Sequence, residues 1–268
     1  MGMNFDRFAR GLGPVVAIGL AAALAGCNGA KVTFDGEQGK TLEELDLSGQ
    51  APTGVALLGP DTVRITQGPK LAIKVEGDAE TAGAMRFTLK DGTLGILRKE
   101  GNWGRDKTVT VNVTLPALNE VSAMGSGSVN ADRIGGKASV NIGGSGSVET
   151  AAVEAESLDV SIAGSGSYRA AGHAGTLDLS IAGSGSAEMD ALKVDSADIS
   201  IAGSGNARFA SDGKVKASML GSGEVRVKGR ATCTVSAVGS GKLVCENGTE
   251  AAEAPPSPPP APEAPKKQ

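Results

Sequence analysis

The fold this chain predicts is all-β: a parallel β-helix, or solenoid, of about seven coils, preceded by a strand-rich N-terminal portion. Three observations predict it. The tripeptide Gly-Ser-Gly recurs seven times, its first glycines at Gly125, Gly144, Gly164, Gly183, Gly203, Gly221 and Gly239, with steps of 18 to 20 residues. A fixed period of that size marks one supersecondary unit stacked repeatedly. Counted back from Gly144, Gly164, Gly183, Gly203 and Gly221, the residues six, four and two before each are small or apolar and those between are polar, as in Leu158-Asp159-Val160-Ser161-Ile162 and Leu177-Asp178-Leu179-Ser180-Ile181. Alternation with period two is a strand with an inward and an outward face. Finally, the 268 residues include 40 glycines and only 3% aromatics, so thin layers of small aliphatics must build the core.

Each element then follows in chain order. Arg7 and Arg10 precede an apolar run from Val15 to Leu24, too short for an ordinary membrane span, which reads as an export leader over residues 1–26. It ends in Leu24-Ala25-Gly26-Cys27, which resembles the bacterial lipobox, where the chain is cut before a cysteine that receives diacylglycerol. The alternative is an ordinary secretory leader cut elsewhere. Lipidation of Cys27 would anchor the mature chain to a membrane, each buried methylene contributing ~0.8 kcal/mol. Asn28 follows the cysteine in place of the aspartate that favours inner-membrane retention in enteric bacteria, which points by resemblance to the outer membrane. Residues 27–41 read as a polar tether and 42–249 as the folded domain.

Within that domain, residues 42–116 hold the opening strands. Thr62 to Thr66, Lys70 to Val75, Thr93 to Leu97 and Thr108 to Val113 alternate with period two and are punctuated by Gly68-Pro69, Asp91-Gly92 and Pro116. Glu80 to Met85 suits a short helical or irregular turn. From 117 to 249 each coil is expected to contain two or three short strands separated by tight turns. One glycine corner lies in every coil, because a tight bend needs positive φ or close backbone approach. Val129, Val148, Tyr168, Ala187, Ala207, Val225 and Leu243 occupy matching inward places after the corner. Residues 250–268 are proline-rich and favour extended polyproline II, as a disordered tail or as a spacer touching peptidoglycan or a partner.

The pattern resembles the bacterial head GIN domain family. It is carried by Val63-Arg64-Ile65-Thr66-Gln67-Gly68, by Asp91-Gly92-Thr93-Leu94-Gly95-Ile96 and above all by Ser-Ile-Ala-Gly-Ser-Gly at Ser161, Ser180 and Ser200. Members of that family are described as auto-transporter adhesins, and many look like lipoproteins. The resemblance implies a β-helix-like fold, right-handed by the usual crossover rule, and brings no catalytic residues. No translocating barrel accompanies it in this chain.

The chemistry expected of the surface is correspondingly plain. A net charge of −4 with no basic stripe argues against nucleic acid. The single histidine, His173, weakens a Ser-His-Asp or multi-histidine metal reading and is expected in an exposed turn. Seven copies of one motif are architecture, whereas an active site needs one, so no enzyme is expected. Cys233 and Cys245 fall six before and six after Gly239, both at inward positions of the last repeat, and in an oxidising compartment they are expected to pair. Asp159, Asp178 and Asp198 recur at one outward position, with Ser161, Ser180 and Ser200 two residues on, forming a candidate binding ladder. A cation would relieve the repulsion of stacked aspartates, yet the turns carry serine where calcium solenoids carry aspartate, so neither metal nor cofactor is expected. The ladder suits a repetitive glycan or an envelope protein, held by many weak contacts. The functional expectation is an outer-membrane lipid-anchored adhesin or scaffold, with a purely structural or accessory periplasmic lipoprotein as the alternative. Oligomeric state is left open.

Overall fold

The computed structural model describes residues 39–99, 107–247 and 249–252; the readings at Cys27, of the leader and of the tail beyond residue 252 lie outside the described residues, while residues 250–252, expected in the tail, belong to a strand, Thr249–Ala252. Among those described, sixteen strands and one short helix form a parallel solenoid of about seven turns. Its body is five long strands: β8 (Ser128–Gly144), β9 (Ser147–Gly164), β10 (Ser167–Gly183), β11 (Ser186–Gly203) and β12 (Asn206–Gly221). Each pairs in parallel with the next, and each wraps one coil. In these five coils the expected two or three short strands are therefore one continuous strand, while the coil that follows keeps two, Glu224–Lys228 and Thr232–Gly239. Register shifts, such as that between Ala170 and Gly172, bend the ladder where tight turns were expected, so backbone pairing continues past the bend.

In these five coils only the Gly-Ser-Gly corner interrupts the strand, and its geometry explains both glycines. The first has φ between 101° and 126° in every coil. A Cβ on Gly183 would lie 2.5 Å from the carbonyl oxygen of Gly164 in the preceding coil, and one on Gly185 would lie 2.5 Å from Ile162 Cγ2. The serine between them donates its backbone N–H to the preceding coil's first glycine, Ser184 to Gly164 at 2.9 Å and Ser204 to Gly183 at 2.9 Å. Corner thus stacks on corner, and only a residue without a side chain fits either flank.

Inside, identical positions meet in rows. Val121, Val140, Val160, Leu179, Ile199 and Ala217 are in register through successive coils, and all are buried. The row after the corner runs Val129, Val148, Tyr168, Ala187, Ala207, Val225, Leu243, as the spacing requires. Tyr168 is its one ring, fully buried, with alanine in the next two coils offsetting its volume. Its hydroxyl lies 3.4 Å from Thr150 Oγ1, and burial pushes its pKa up to about 12.

The opening strands belong to the solenoid rather than to a separate layer, in an order that the chain does not suggest. β1 (Gly54–Leu58) and β2 (Thr62–Gln67) form a coil that stacks directly on β7 (Glu120–Gly125) and the start of β8. Beneath that coil lie β5 (Thr93–Arg98) and β6 (Thr110–Leu115), which come later in sequence. The chain reaches them through β3 (Ala72–Glu76), the helix α1 (Ala79–Gly83) and β4 (Met85–Lys90), with β3 antiparallel to β6 and β4 antiparallel to β5. The turn between β4 and β5 is Asp91-Gly92, both with positive φ, the pair a two-residue hairpin favours. Asp78 accepts the backbone N–H of Thr81 and so caps α1.

At this end the corner stack closes with an ion pair. Gly59-Pro60-Asp61 takes the place of Gly-Ser-Gly, its Gly59 carbonyl accepting the N–H of Gly127 at 2.9 Å. Arg98, one coil below, grips the fully buried Asp61 with Nε 2.6 Å from Oδ2 and Nη2 on Oδ1. Nη2 also donates to the Lys107 carbonyl at 2.8 Å, and the Val109 N–H donates to Asp61 Oδ1 at 2.9 Å.

The opposite end carries a covalent link. β13 (Glu224–Lys228), β14 (Thr232–Gly239), β15 (Lys242–Cys245) and β16 (Thr249–Ala252) complete the stack. A disulfide joins Cys233 on β14 to Cys245 on β15, with Cα atoms 6.7 Å apart. Because it restrains the unfolded chain across a short loop, reduction is expected to lower unfolding stability by about 3 kcal/mol. Thermal melts with and without reductant check this, with an intact-mass shift of two hydrogens confirming the oxidised form.

Candidate functional site

Between the bend and the corner the coils of β9, β10 and β11 present an outward strip, and parallel stacking turns its positions into rows. Asp159, Asp178 and Asp198 are in register on β9, β10 and β11, as are Ser161, Ser180 and Ser200. Ser139 precedes the aspartates and Lys216 follows them. The structure therefore brings together all six ladder residues singled out above, at the strand spacing of ~4.8 Å. They form a line and not a cage. Among the described residues no group of three or more carboxylate, histidine or cysteine side chains is arranged to hold a metal ion.

The row is not electrostatically uniform. Asp159 is half-buried, and its pKa is raised to about 6, first by loss of solvent and then by the neighbouring Asp178 carboxylate. A folded-state value above the unfolded one means that the native state binds the extra proton. This group's contribution to stability is therefore greatest below about pH 4 and is lost as pH rises through about 6. Asp159→Asn is expected to stabilise the protein at pH 7.5 by about 1 kcal/mol, after allowance for solvent screening, and to leave stability at pH 4 nearly unchanged. Urea unfolding of both forms at the two pH values checks the sign.

Two further rows escaped sequence reasoning. Next to the corner run Ala163, Ala182, Ala202, Leu220 and Val238, an apolar row in which Leu220 is 48% and Val238 69% exposed. Beyond the corner, the third residue after each second glycine gives Glu149, Arg169, Glu188, Arg208 and Arg226 in register. Arg169 Nε lies 3.0 Å from Glu188 Oε2. The signs largely alternate, so this face pairs with itself. The signal was present in the repeat register, but it emerges only when the polar positions of consecutive coils are aligned across the corner.

His173 lies on β10 and not in a turn, exposed, with Nε2 3.1 Å from Asp195 Oδ1. A shallow groove of about 340 Å³ lies between Gln67, Leu118, Asn119, Asp132 and Arg133. Its charged groups are engaged within the protein: Asp132 accepts the Gln67 N–H at 2.8 Å and Arg133 donates to Glu154 at 2.7 Å. The surface is thus one of extended rows whose charges are mostly paired locally.

A solenoid with rows of small polar groups along a flat face defines a class of repetitive, surface-presenting β proteins. Within that class the chain belongs to the family described as "Putative auto-transporter adhesin, head GIN domain", whose model matches residues 51–231. Solved structures agree in fold. A "putative adhesin" from Bacteroides fragilis NCTC 9343 shares 20% identity and a TM-score of 0.67, covering 74% of this chain and 93% of its own. A "putative lipid binding protein" from Parabacteroides distasonis ATCC 8503 shares 20% identity with a TM-score of 0.58 over 73% and 93%. A "putative adhesin" from Parabacteroides merdae ATCC 43184 shares 20% identity with a TM-score of 0.55 over 74% and 92%. No curated protein matches the chain. At such identities the likeness concerns the fold.

Proposed function

We propose that this protein is a non-catalytic, lipid-anchored lipoprotein of the cell envelope, exported and held at the outer membrane through Cys27, whose flat solenoid face binds a repetitive ligand, glycan or protein. The observation that carries the reading is the register of Asp159, Asp178 and Asp198 with Ser161, Ser180 and Ser200. Equivalent hydroxyls and carboxylates repeated at a fixed step meet a polymer's repeat with many weak contacts, which add through effective concentration. The adhesin name of the family supports this class of role and an envelope location. An enzyme would need reactive groups converging on one point, whereas these lie in rows.

The test is a glycan array and an envelope-protein pull-down with the full chain, beside a variant carrying Ser161→Lys, Ser180→Lys and Ser200→Lys. Binding by the parent that falls at least tenfold in the variant supports the reading. Equal binding by both removes the ladder from the ligand site. Protease treatment of intact cells separates adhesion from a periplasmic role: complete protection of the solenoid would contradict a surface adhesin.

A further inference from the structure

Two buried oxygens without a partner sit side by side on the outward face of the solenoid. Ser122 on β7 and Asn141 on β8 are register partners. Alternation turns both outward, because Val121, Ala123, Val140 and Ile142 on the same strands are core residues. Yet the two are only 1% and 2% exposed, and among the described residues neither Ser122 Oγ nor Asn141 Oδ1 has a hydrogen-bond partner. They do not bond each other. The Asn141 amide is oriented by its Nδ2, which donates to Ser139 Oγ at 3.2 Å, so Oδ1 is presented as an acceptor. Buried polar groups are normally paired, and two adjacent exceptions point to a group that donates to both.

The adjoining row adds charge of one sign. Glu120, Ser139 and Asp159 are in register across β7, β8 and β9. Both carboxylates are half-buried; burial raises the pKa of each, and for Asp159 the Asp178 carboxylate raises it further. Among the described residues neither Glu120 nor Asp159 has an ion-pair partner. Two neutral acceptors and two carboxylates thus lie within two strand steps, ~10 Å. A metal ion suits them poorly, since no three carboxylate, histidine or cysteine side chains of the described chain are arranged to hold one. An ammonium group, with three N–H donors and no acceptor, suits a set made of acceptors alone.

We infer that Glu120, Ser122, Asn141 and Asp159 form a site for a primary ammonium group, that of a lysine side chain on a bound polypeptide. Access decides the polypeptide. Ser122 and Asn141 lie at a floor almost closed to solvent, which a compact charge on a slender four-carbon stem reaches. An amine attached directly to a sugar ring brings the ring with it. Met124, the next outward residue after Ser122 on β7, offers that stem an apolar wall. It is half-buried and lies over Gly143, where a Cβ would come within 2.6 Å of its Sδ. The ammonium donates to Asn141 Oδ1 and Ser122 Oγ and neutralises the carboxylates of Glu120 and Asp159. Asp159 also belongs to the aspartate and serine ladder, so the inference rests on the reading of that face as a binding surface and narrows its partner to a lysine-bearing chain.

Titration of the full chain with a short serine–glycine peptide, blocked at both ends and carrying one central lysine, tests the site. Affinity is expected to fall about tenfold when the lysine is replaced by Nε-acetyllysine, and by a similar factor for Asn141→Leu, through loss of charge-assisted hydrogen bonds. That substitution exchanges an unpaired buried oxygen for apolar atoms of similar size, so the fold is expected to hold, and a melting curve checks it. Bound peptide is also expected to protect Met124 of the parent from hydroxyl-radical oxidation, with the buried Met85, Met189 and Met219 as internal references. Equal affinity of the acetyllysine peptide or of the Asn141→Leu variant would overturn the site. A glucosamine oligomer that binds as tightly and protects Met124 equally would overturn the choice of polypeptide. Absence of peptide binding, beside a ladder variant that still loses its own ligand, would remove this site and leave the ladder standing.

Discussion

Gly183→Ala is expected to destabilise the protein by about 3–5 kcal/mol, while Ser184→Ala, one residue on, changes stability by no more than about 0.5 kcal/mol. Two costs combine at the glycine. Its φ of 121° is strained for any L side chain, at about 1–3 kcal/mol, and the new Cβ would press to 2.5 Å from the Gly164 carbonyl oxygen. That oxygen cannot retreat, because it accepts the Ser184 N–H that joins the coils. Overpacking of this kind adds about 1–3 kcal/mol. Ser184, by contrast, is exposed and contributes to the corner through its backbone. Urea unfolding of both variants decides between two accounts of the motif. If Gly-Ser-Gly were a ligand loop, the serine would matter to binding and the glycine little to stability; as a corner, the order reverses.

The second large effect is expected at the buried ion pair. Asp61→Ala is expected to cost about 3–5 kcal/mol, since it leaves the Arg98 guanidinium buried without its carboxylate and the Val109 N–H without its acceptor. The double change Asp61→Leu, Arg98→Met is expected to recover much of that loss, because removing both charges removes the desolvation penalty as well. A double-mutant cycle measured by chemical denaturation gives the coupling. Additive losses would show that the two side chains act independently and that the end is held by packing alone.

Legibility in the sequence followed repetition. The corner glycines, the inward rows and the aspartate and serine ladder could be read because each is repeated, so one coil's register predicts the next. The ends could not be read that way. The coil of Gly54 to Gln67 turns at Gly59-Pro60-Asp61, with no motif to betray it, and the order in which β5 and β6 slip beneath β1 and β2 is a matter of long-range pairing. Asp61 and Arg98 are 37 residues apart and look like ordinary surface charges until their strands are stacked. Within the coils, strands of 16 to 18 residues differ from the short ones expected, because the chain keeps pairing through register shifts at places such as His173, where a turn is expected. The apolar row ending in Leu220 and Val238 was missed for a different reason. Alanine at three of its positions reads as neutral in isolation, and only stacking makes it a stripe.

The claim on which the rest depends is that the seven corners lie in one line, a strand spacing apart. Spin labels at pairs of corner serines, changed to cysteine, measure this directly by electron dipolar spectroscopy. From Ser145, separations to Ser184 and Ser222 are expected near 10 and 19 Å, and from Ser126 to Ser240 near 29 Å, rising by ~4.8 Å per coil beyond the constant added by the labels. Distances that do not grow in proportion to the number of intervening corners would contradict the solenoid and, with it, every row described above.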